Sequence, residues 1–233
     1  SCKKYKWEMV LCGPFELPPT LQGIENVKHV KERGNVSRAV QVGILETRSK
    51  LVFMGVDDSV FEENAMDKSI DAYLEKATRK DMMQCIYVEG GQSQPDSYWT
   101  VAHHTTYQLG GIDQSWKICN QPIMHRDYFI ELGGFDCRWE YQDGAFHDFV
   151  FRAQRNGRKI YLSPCKVSEA SWWPDHQGDH GAIHDAMVLH DLEIFREMWG
   201  TENDRLKIDY DNWKDTPEVW ERRFPTKVYN SYE

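Results

Sequence analysis

Asp57 and Asp58 stand side by side directly after the apolar run 51–56. Two adjacent carboxylates at the tip of a strand are hard oxygen ligands suited to Mg2+ or Mn2+. An ion held there would bridge a diphosphate and neutralise charge on a departing phosphate. A polar strand exit produces the same pair, because aspartate is common in turns. A second carboxylate, Asp148, falls on a helical segment just after an acidic stretch containing Glu140 and Asp143. A partly desolvated carboxylate can take a proton from a hydroxyl. The competing roles are complementing a helix dipole or pairing with Arg152, four residues on. The third feature is residues 174–191, with four histidines (His176, His180, His184, His190) and four aspartates. Imidazole is a good transition-metal ligand. His180 precedes the expected helix and can point into a site, His184 is one turn on, and His190 falls on an apolar stripe, as a core histidine would.

Composition limits what this chemistry can serve. The chain has 233 residues and a formal net charge of −9, enough length for a large core and the wrong sign for a general nucleic-acid binder. No apolar run reaches 18 residues, so no integral membrane segment is expected. The six cysteines are scattered, which suits free thiols in a reducing compartment and hence a cytoplasmic location. Trp99, Trp116, Trp139, Trp172 and Trp173 lie in or beside expected loops, where an indole ring can floor a sugar site; any single one is more often a packing residue.

The elements that must position these groups can be read from periodicity. Residues 7–12 and 27–30 read as strands separated by a proline-rich loop. Asn35 or Ser37 can cap a helix through about Thr47, with Val36, Val40, Ile44 and Leu45 inward. Residues 51–56 read as a strand covered on both faces. Residues 62–78 form an amphipathic pattern with Met66, Ile70, Tyr73, Leu74 and Ala77 on one side. Strands follow at 84–88 and 158–162, and helices at 126–133, 145–156 and 183–199. The irregular region 90–120 is long enough to be functional. Alternating strands and helices predict an α/β fold, a mostly parallel central sheet flanked by helices. In such sheets ligands bind beyond the carboxyl ends of the strands, where Asp57 and Asp58 fall.

These residues resemble family 2 glycosyltransferases, which have the Rossmann-like nucleotide-sugar-binding fold called GT-A. The resemblance covers roughly residues 7–199 and is strongest over 121–157. Its motif appears as Arg126, Phe129, Gly133-Gly134-Phe135-Asp136, Asp148-Phe149, Arg152 and Gly157. The segment 51–61 is similar to the strand bearing the family's metal motif, with Asp57 and Asp58 at its later acidic positions. The resemblance implies a metal site of Asp57, Asp58 and His180 holding Mn2+ or Mg2+. It also implies a nucleotide-sugar donor, with UDP as the family's usual nucleotide, and a glycan or other hydroxyl acceptor attacked with inversion. Asp148 is then the expected base, with Asp143 as the alternative, because Ala145-Phe146 replaces the family's Glu-Asp pair. Gly134, Trp139 and Glu140 are the expected substrate contacts.

The family's opening β-α unit is missing or altered here, which leaves Gly13, Pro14 and Arg38, with Asp57, as the expected nucleotide contacts. Residues 1–200 are expected to form the transferase domain, with 201–233 packing on it or leading to another domain. Two other readings compete. A metal hydrolase built on the His/Asp cluster leaves the Gly-Gly-Phe-Asp segment unexplained. A catalytically degenerate carbohydrate-binding protein on the same fold is favoured by the missing Glu-Asp pair.

Overall fold

The structure, a computed structural model, describes residues 1–32, 34–56, 59–89, 92–94, 100–103, 107–170, 185–200 and 208, with backbone alone at 89 and 92–94. Two short strands open the chain, β1 (Met9–Gly13) and β2 (Val27–Lys31), paired in parallel. The connection between them holds a single 3-10 turn, Pro19–Leu21, and no α-helix. Pro14, Pro18 and Pro19 in this connection withhold amide donors that a helix needs.

Helix α1 (Val36–Glu46) begins at Asn35, whose side-chain oxygen accepts the Arg38 amide at 2.7 Å. Such a cap satisfies one orphan donor of the first turn. The buried face of α1 is Ser37, Gln41 and Ile44, and Leu45 is exposed. The aliphatic stripe expected from periodicity is thus rotated, because α1 makes specific polar contacts with the Gly-Gly-Phe-Asp segment and the loop after it.

The main sheet contains β3 (Leu51–Phe53), β4 (Ser59–Phe61), β5 (Met82–Glu89), β6 (Gln92–Gln94), β7 (Pro122–His125) and β8 (Ile160–Ala170). Its order is β3-β7-β5-β8-β4, with β6 paired to β5. The β5–β8 pairing is parallel, and the β3–β7, β5–β7, β5–β6 and β4–β8 pairings are antiparallel. The expectation of a mostly parallel sheet is corrected here: the sheet is mixed, because short returning strands close both edges around the β5–β8 centre. The expected long strand at 51–56 is the three-residue edge strand β3.

Alternation along the central strands separates two cores, as the two-residue period of a strand requires. Met82 and Met124 face one core with Phe129, Phe135, Phe149 and Trp139. Met83, Cys85 and Ile123 face the other with Ala72 and Tyr73 of α2 (Ala65–Lys76). Leu74, expected inward on α2, is 57 % exposed. The first core is roofed by α3 (Arg126–Glu131), α4 (Gln142–Arg155) and α5 (Leu192–Trp199), the last entered through a π-helical turn, Met187–Asp191.

Strand β8 is twice as long as its sequence suggests. It passes Pro164 at an irregularity in the β5–β8 register, where a residue without an N–H is tolerated. Ser163 repairs the ladder there: its hydroxyl accepts the Ile86 amide at 2.9 Å and donates to the Cys165 carbonyl at 2.9 Å. All six cysteines are thiols. Among the described residues no helix is long and apolar enough to cross a membrane.

Candidate active site

The centre of the region is the turn Gly133-Gly134, with φ of 93° and 63°, values that favour glycine. A Cβ on Gly133 would also meet Ile208 Cδ1 at 2.8 Å. Arg152 staples this turn to α4. Its guanidinium donates to the Leu132 carbonyl at 2.7 Å, the Gly134 carbonyl at 2.5 Å and Asp148 Oδ2 at 3.0 Å. Trp199 Nε1 donates to Asp148 Oδ1 at 3.1 Å. Asp148 is 0 % exposed. Burial pushes its pKa upward, Arg152 opposes this, and nearby Asp136 adds to it.

This geometry places Asp148, the expected base, in a buried ion pair. Both oxygens are engaged inside the core, and a base must reach the proton it abstracts. The ion pair on one helix face is what the structure contains. Gly134 is buried as well, with its carbonyl turned to Arg152, so it supports the turn and offers substrate no surface. Ala145 and Phe146, at the family's Glu-Asp positions, are both core residues. The other motif residues pack or cap. Phe129, Phe135 and Phe149 pack with ring centroids 5.0–5.8 Å apart, Phe135 edge-on to the other two. Arg126 donates to the Ile44 and Leu45 carbonyls at the end of α1.

The acidic stretch after the turn is fixed from two sides. Trp139 is 0 % exposed, with its ring against Gly144 and Phe195. Trp139, an expected substrate contact, is thus placed as a packing residue beneath the loop. Glu140 and Tyr141 come next, and Asp191 holds both of their amides, at 3.1 Å to Oδ1 and 2.7 Å to Oδ2. His190 Nδ1 lies 2.8 Å from Asp191 Oδ1, and its Nε2 lies 3.7 Å from Glu140 Oε1. Glu140 is 6 % exposed, whereas the His190 side chain is 35 % exposed. His190 is thus an edge residue between two carboxylates and not the core histidine its position on the apolar stripe suggested.

Asp143 occupies the first turn of α4. It lies close enough to act on Tyr107, whose buried hydroxyl is hydrogen-bonded to His147 Nδ1. The Tyr107 pKa is pushed well up by burial, and then by Asp143 and Tyr141.

On the opposite flank, Gly13 ends β1 and its carbonyl accepts the Glu32 amide at 3.0 Å. Glu32 Oε1 accepts the Gly34 amide at 2.9 Å and lies 3.0 Å from Arg38 Nε. A Cβ at Gly13 would meet nothing within 4 Å, so this tip, with Pro14 after it, is open to close approach. Cys12, just before it, has its thiol pushed up to about 11 by burial, then by Glu32 and Glu46.

Helix α1 joins the two flanks. Ser37 Oγ donates to the Tyr141 carbonyl at 3.2 Å, and Gln41 Oε1 accepts the Phe135 amide at 3.0 Å. Neighbouring residues Ser37 and Arg38 thus touch the acidic loop and the β1–β2 tip respectively.

The expected metal ligands Asp57, Asp58 and His180, and the alternatives His176 and His184, lie outside the described residues, as do Trp99, Trp172, Trp173 and most of 201–233. The described neighbours of the aspartate pair are tied together, Ser59 N donating to the Val56 carbonyl at 3.4 Å. Among the described residues no group of three His, Cys, Asp or Glu side chains could hold a metal ion. Through α1 the structure ties Arg38, beside Glu32 at the Gly13 tip, to Ser37 and the Tyr141 carbonyl in the loop between Glu140 and Asp143, and it places Asp148, Gly134 and Trp139 among the buried residues. Sequence reasoning missed Asp191 as the clamp on the 140–141 amides; its only signal was membership of the His/Asp cluster.

The fold is GT-A-like. No family model and no curated protein matches the chain. Among solved structures, it is similar to GalNAc-T7 crystallised with UDP, GalNAc and Mn2+, with a TM-score of 0.50, 14 % identity, and coverage of 82 % of this chain and 47 % of that one. It is also similar to S. aureus TarS 1–349 in complex with UDP-GlcNAc, with a TM-score of 0.54, 16 % identity, and coverage of 97 % of this chain and 66 % of that one. Against S. aureus TarS the TM-score is 0.51 at 15 % identity, covering 97 % of this chain and 39 % of that one. The chain thus spans between 39 and 66 % of these relatives' lengths.

Proposed function

We propose that the chain is a glycosyltransferase that moves a sugar from a nucleoside-diphosphate donor, UDP-linked by preference, to a hydroxyl of a glycan or similar acceptor. The observation that carries this reading is the juxtaposition at α1. Arg38, ion-paired with Glu32 beside the open Gly13 tip, follows Ser37 on α1, and Ser37 donates to the Tyr141 carbonyl in the loop between Glu140 and Asp143. The likeness to a UDP-GlcNAc-bound structure over 97 % of the chain supports the same assignment.

In this reading Gly13, Pro14 and Arg38 hold the nucleotide, and the positive end of the α1 dipole favours the diphosphate. Asp57, Asp58 and His180 are the proposed ligands of Mn2+ or Mg2+, which when bound would neutralise charge on the leaving diphosphate. The acceptor lies on the side of Glu140 and Asp143, and one of these carboxylates takes its proton. Attack on the anomeric carbon from the face opposite the diphosphate inverts its configuration.

Isothermal titration of UDP and UDP-GlcNAc in Mn2+ and in EDTA tests the donor site. Metal-dependent binding that is lost in Asp57→Ala supports it. Absence of binding under both conditions rejects it. The catalytically degenerate glycan-binding reading has one specific observation in its favour, the conversion of the motif's carboxylate positions into core by Ala145, Phe146 and buried Asp148. It predicts glycan binding that EDTA leaves unchanged.

A further inference from the structure

We infer that Glu140 and His190 form one proton-transfer unit held in register by Asp191, with Glu140 as the catalytic base and His190 as the group that receives its proton. The inference rests on the transferase reading and adds to it the choice of base and a route for the proton. Three observations carry it.

The first is the clamp. Asp191 accepts the amides of Glu140 and Tyr141 at 3.1 and 2.7 Å, which fixes the backbone from which the Glu140 side chain projects. The second is the imidazole. Asp191 Oδ1 accepts from His190 Nδ1 at 2.8 Å, and a carboxylate already receiving two amides has no proton to give. Nδ1 is then the protonated nitrogen, and in the neutral ring Nε2 is the acceptor. That nitrogen lies 3.7 Å from Glu140 Oε1. A movement of about 0.5–1 Å brings the pair to hydrogen-bonding distance. The third is the gradient of exposure. Glu140 is 6 % exposed and the His190 side chain is 35 % exposed, an outlet from the loop to solvent. The π-helical turn Met187–Asp191 that delivers both His190 and Asp191 is a departure from helical geometry of the kind found at functional sites.

The step balances as follows. The acceptor O–H bond breaks and its proton passes to the Glu140 carboxylate. The acceptor oxygen bonds to the anomeric carbon as the bond from that carbon to the diphosphate oxygen breaks, and the electron pair leaves with the diphosphate. Glu140 then hands its proton to His190 Nε2. The resulting imidazolium is stabilised by Asp191, in the manner of an Asp-His pair behind a nucleophile, and loses its proton to water. Glu140 is a catalytic residue on this account; His190 and Asp191 are positioning residues.

The test uses the full chain, with UDP binding by calorimetry, UDP-GlcNAc hydrolysis with Mn2+ (water as the acceptor), and imidazole nitrogen NMR of His190. His190→Ala is expected to keep UDP affinity and lose about 100-fold or more in kcat, and added imidazole is expected to restore about tenfold of that loss. His190→Gln serves in its place if the alanine variant does not fold. Normal turnover, or a loss that imidazole does not rescue, overturns the relay. Turnover retained in Glu140→Gln but abolished in Asp143→Asn overturns the choice of base. The NMR arm needs no donor: a wild-type His190 protonated at Nδ1, with an Nε2 resonance that moves in Glu140→Gln, supports the unit, and an unmoved resonance overturns it. Failure of the wild-type chain to bind UDP rejects the transferase reading and leaves this arm to decide the pairing alone.

Discussion

Arg152 and Asp148 sit one turn apart on α4, joined from Nε to Oδ2 at 3.0 Å with side chains 5 % and 0 % exposed. The same guanidinium holds the Leu132 and Gly134 carbonyls, so the pair fixes the shape of the Gly-Gly turn. Removing one partner of a buried pair leaves an uncompensated charge and costs about 3–5 kcal/mol. Asp148→Asn should therefore lose stability on that scale in a urea titration. Residual UDP affinity should track the folded fraction. A stable variant that binds UDP and cannot turn over would instead return Asp148 to the chemistry.

Gly144 lies against the Trp139 indole, where an added Cβ would sit 2.6 Å from Cε3. That ring is fully buried and cannot withdraw. Gly144→Ala should cost about 1–3 kcal/mol by overpacking. Displacing Trp139 also moves Glu140, its neighbour, so turnover should fall further than stability does. Thermal melts and kcat on one preparation separate the two effects.

Asp81 supplies a pH signature. Burial would raise its pKa, but the amides of Lys159 and Thr78 and the Thr78 hydroxyl outweigh burial and hold it below the usual carboxylate value. A depressed folded-state pKa gives stability that is present above the unfolded value of about 3.9 and is lost as pH falls through the folded one. Wild type should exceed Asp81→Asn by about 1–3 kcal/mol near pH 6. The gap should close below about pH 4, as read from denaturant midpoints across that range.

Periodicity located most elements because their signals are local. The Asn35 cap and the helix it starts, the β5 run and the α4 pattern all came from neighbouring residues. The misses have physical causes. Ser163-Pro164 reads as a strand end, yet a serine hydroxyl replaces the missing ladder partner and β8 runs on to Ala170. Leu74 and Leu45 fall on predicted inner faces but are exposed, since those faces are chosen by partners distant in sequence.

The site was legible as a set of residue types and much less as a set of roles. The spacing of Asp148 and Arg152 is the same for a base beside a cation and for an ion pair, and only burial separates the two. His190 lies on an apolar stripe by helical counting, but a π-helical turn shifts the register that such counting assumes.

Central strand β5 takes its flanking partners from much later in the chain, first β7 and then β8. Lys159, which opens the β8 pairing, lies 78 residues beyond Asp81. At about 5–20 residues per second, a ribosome needs roughly 4–16 s to synthesise that interval. Throughout it the nascent chain carries an apolar strand with a bare edge, the form in which chains stick to one another. Yield of this protein in a host should therefore follow the shelter available during translation, rising with chaperone supply and falling where codons between Met82 and Ile160 slow the ribosome.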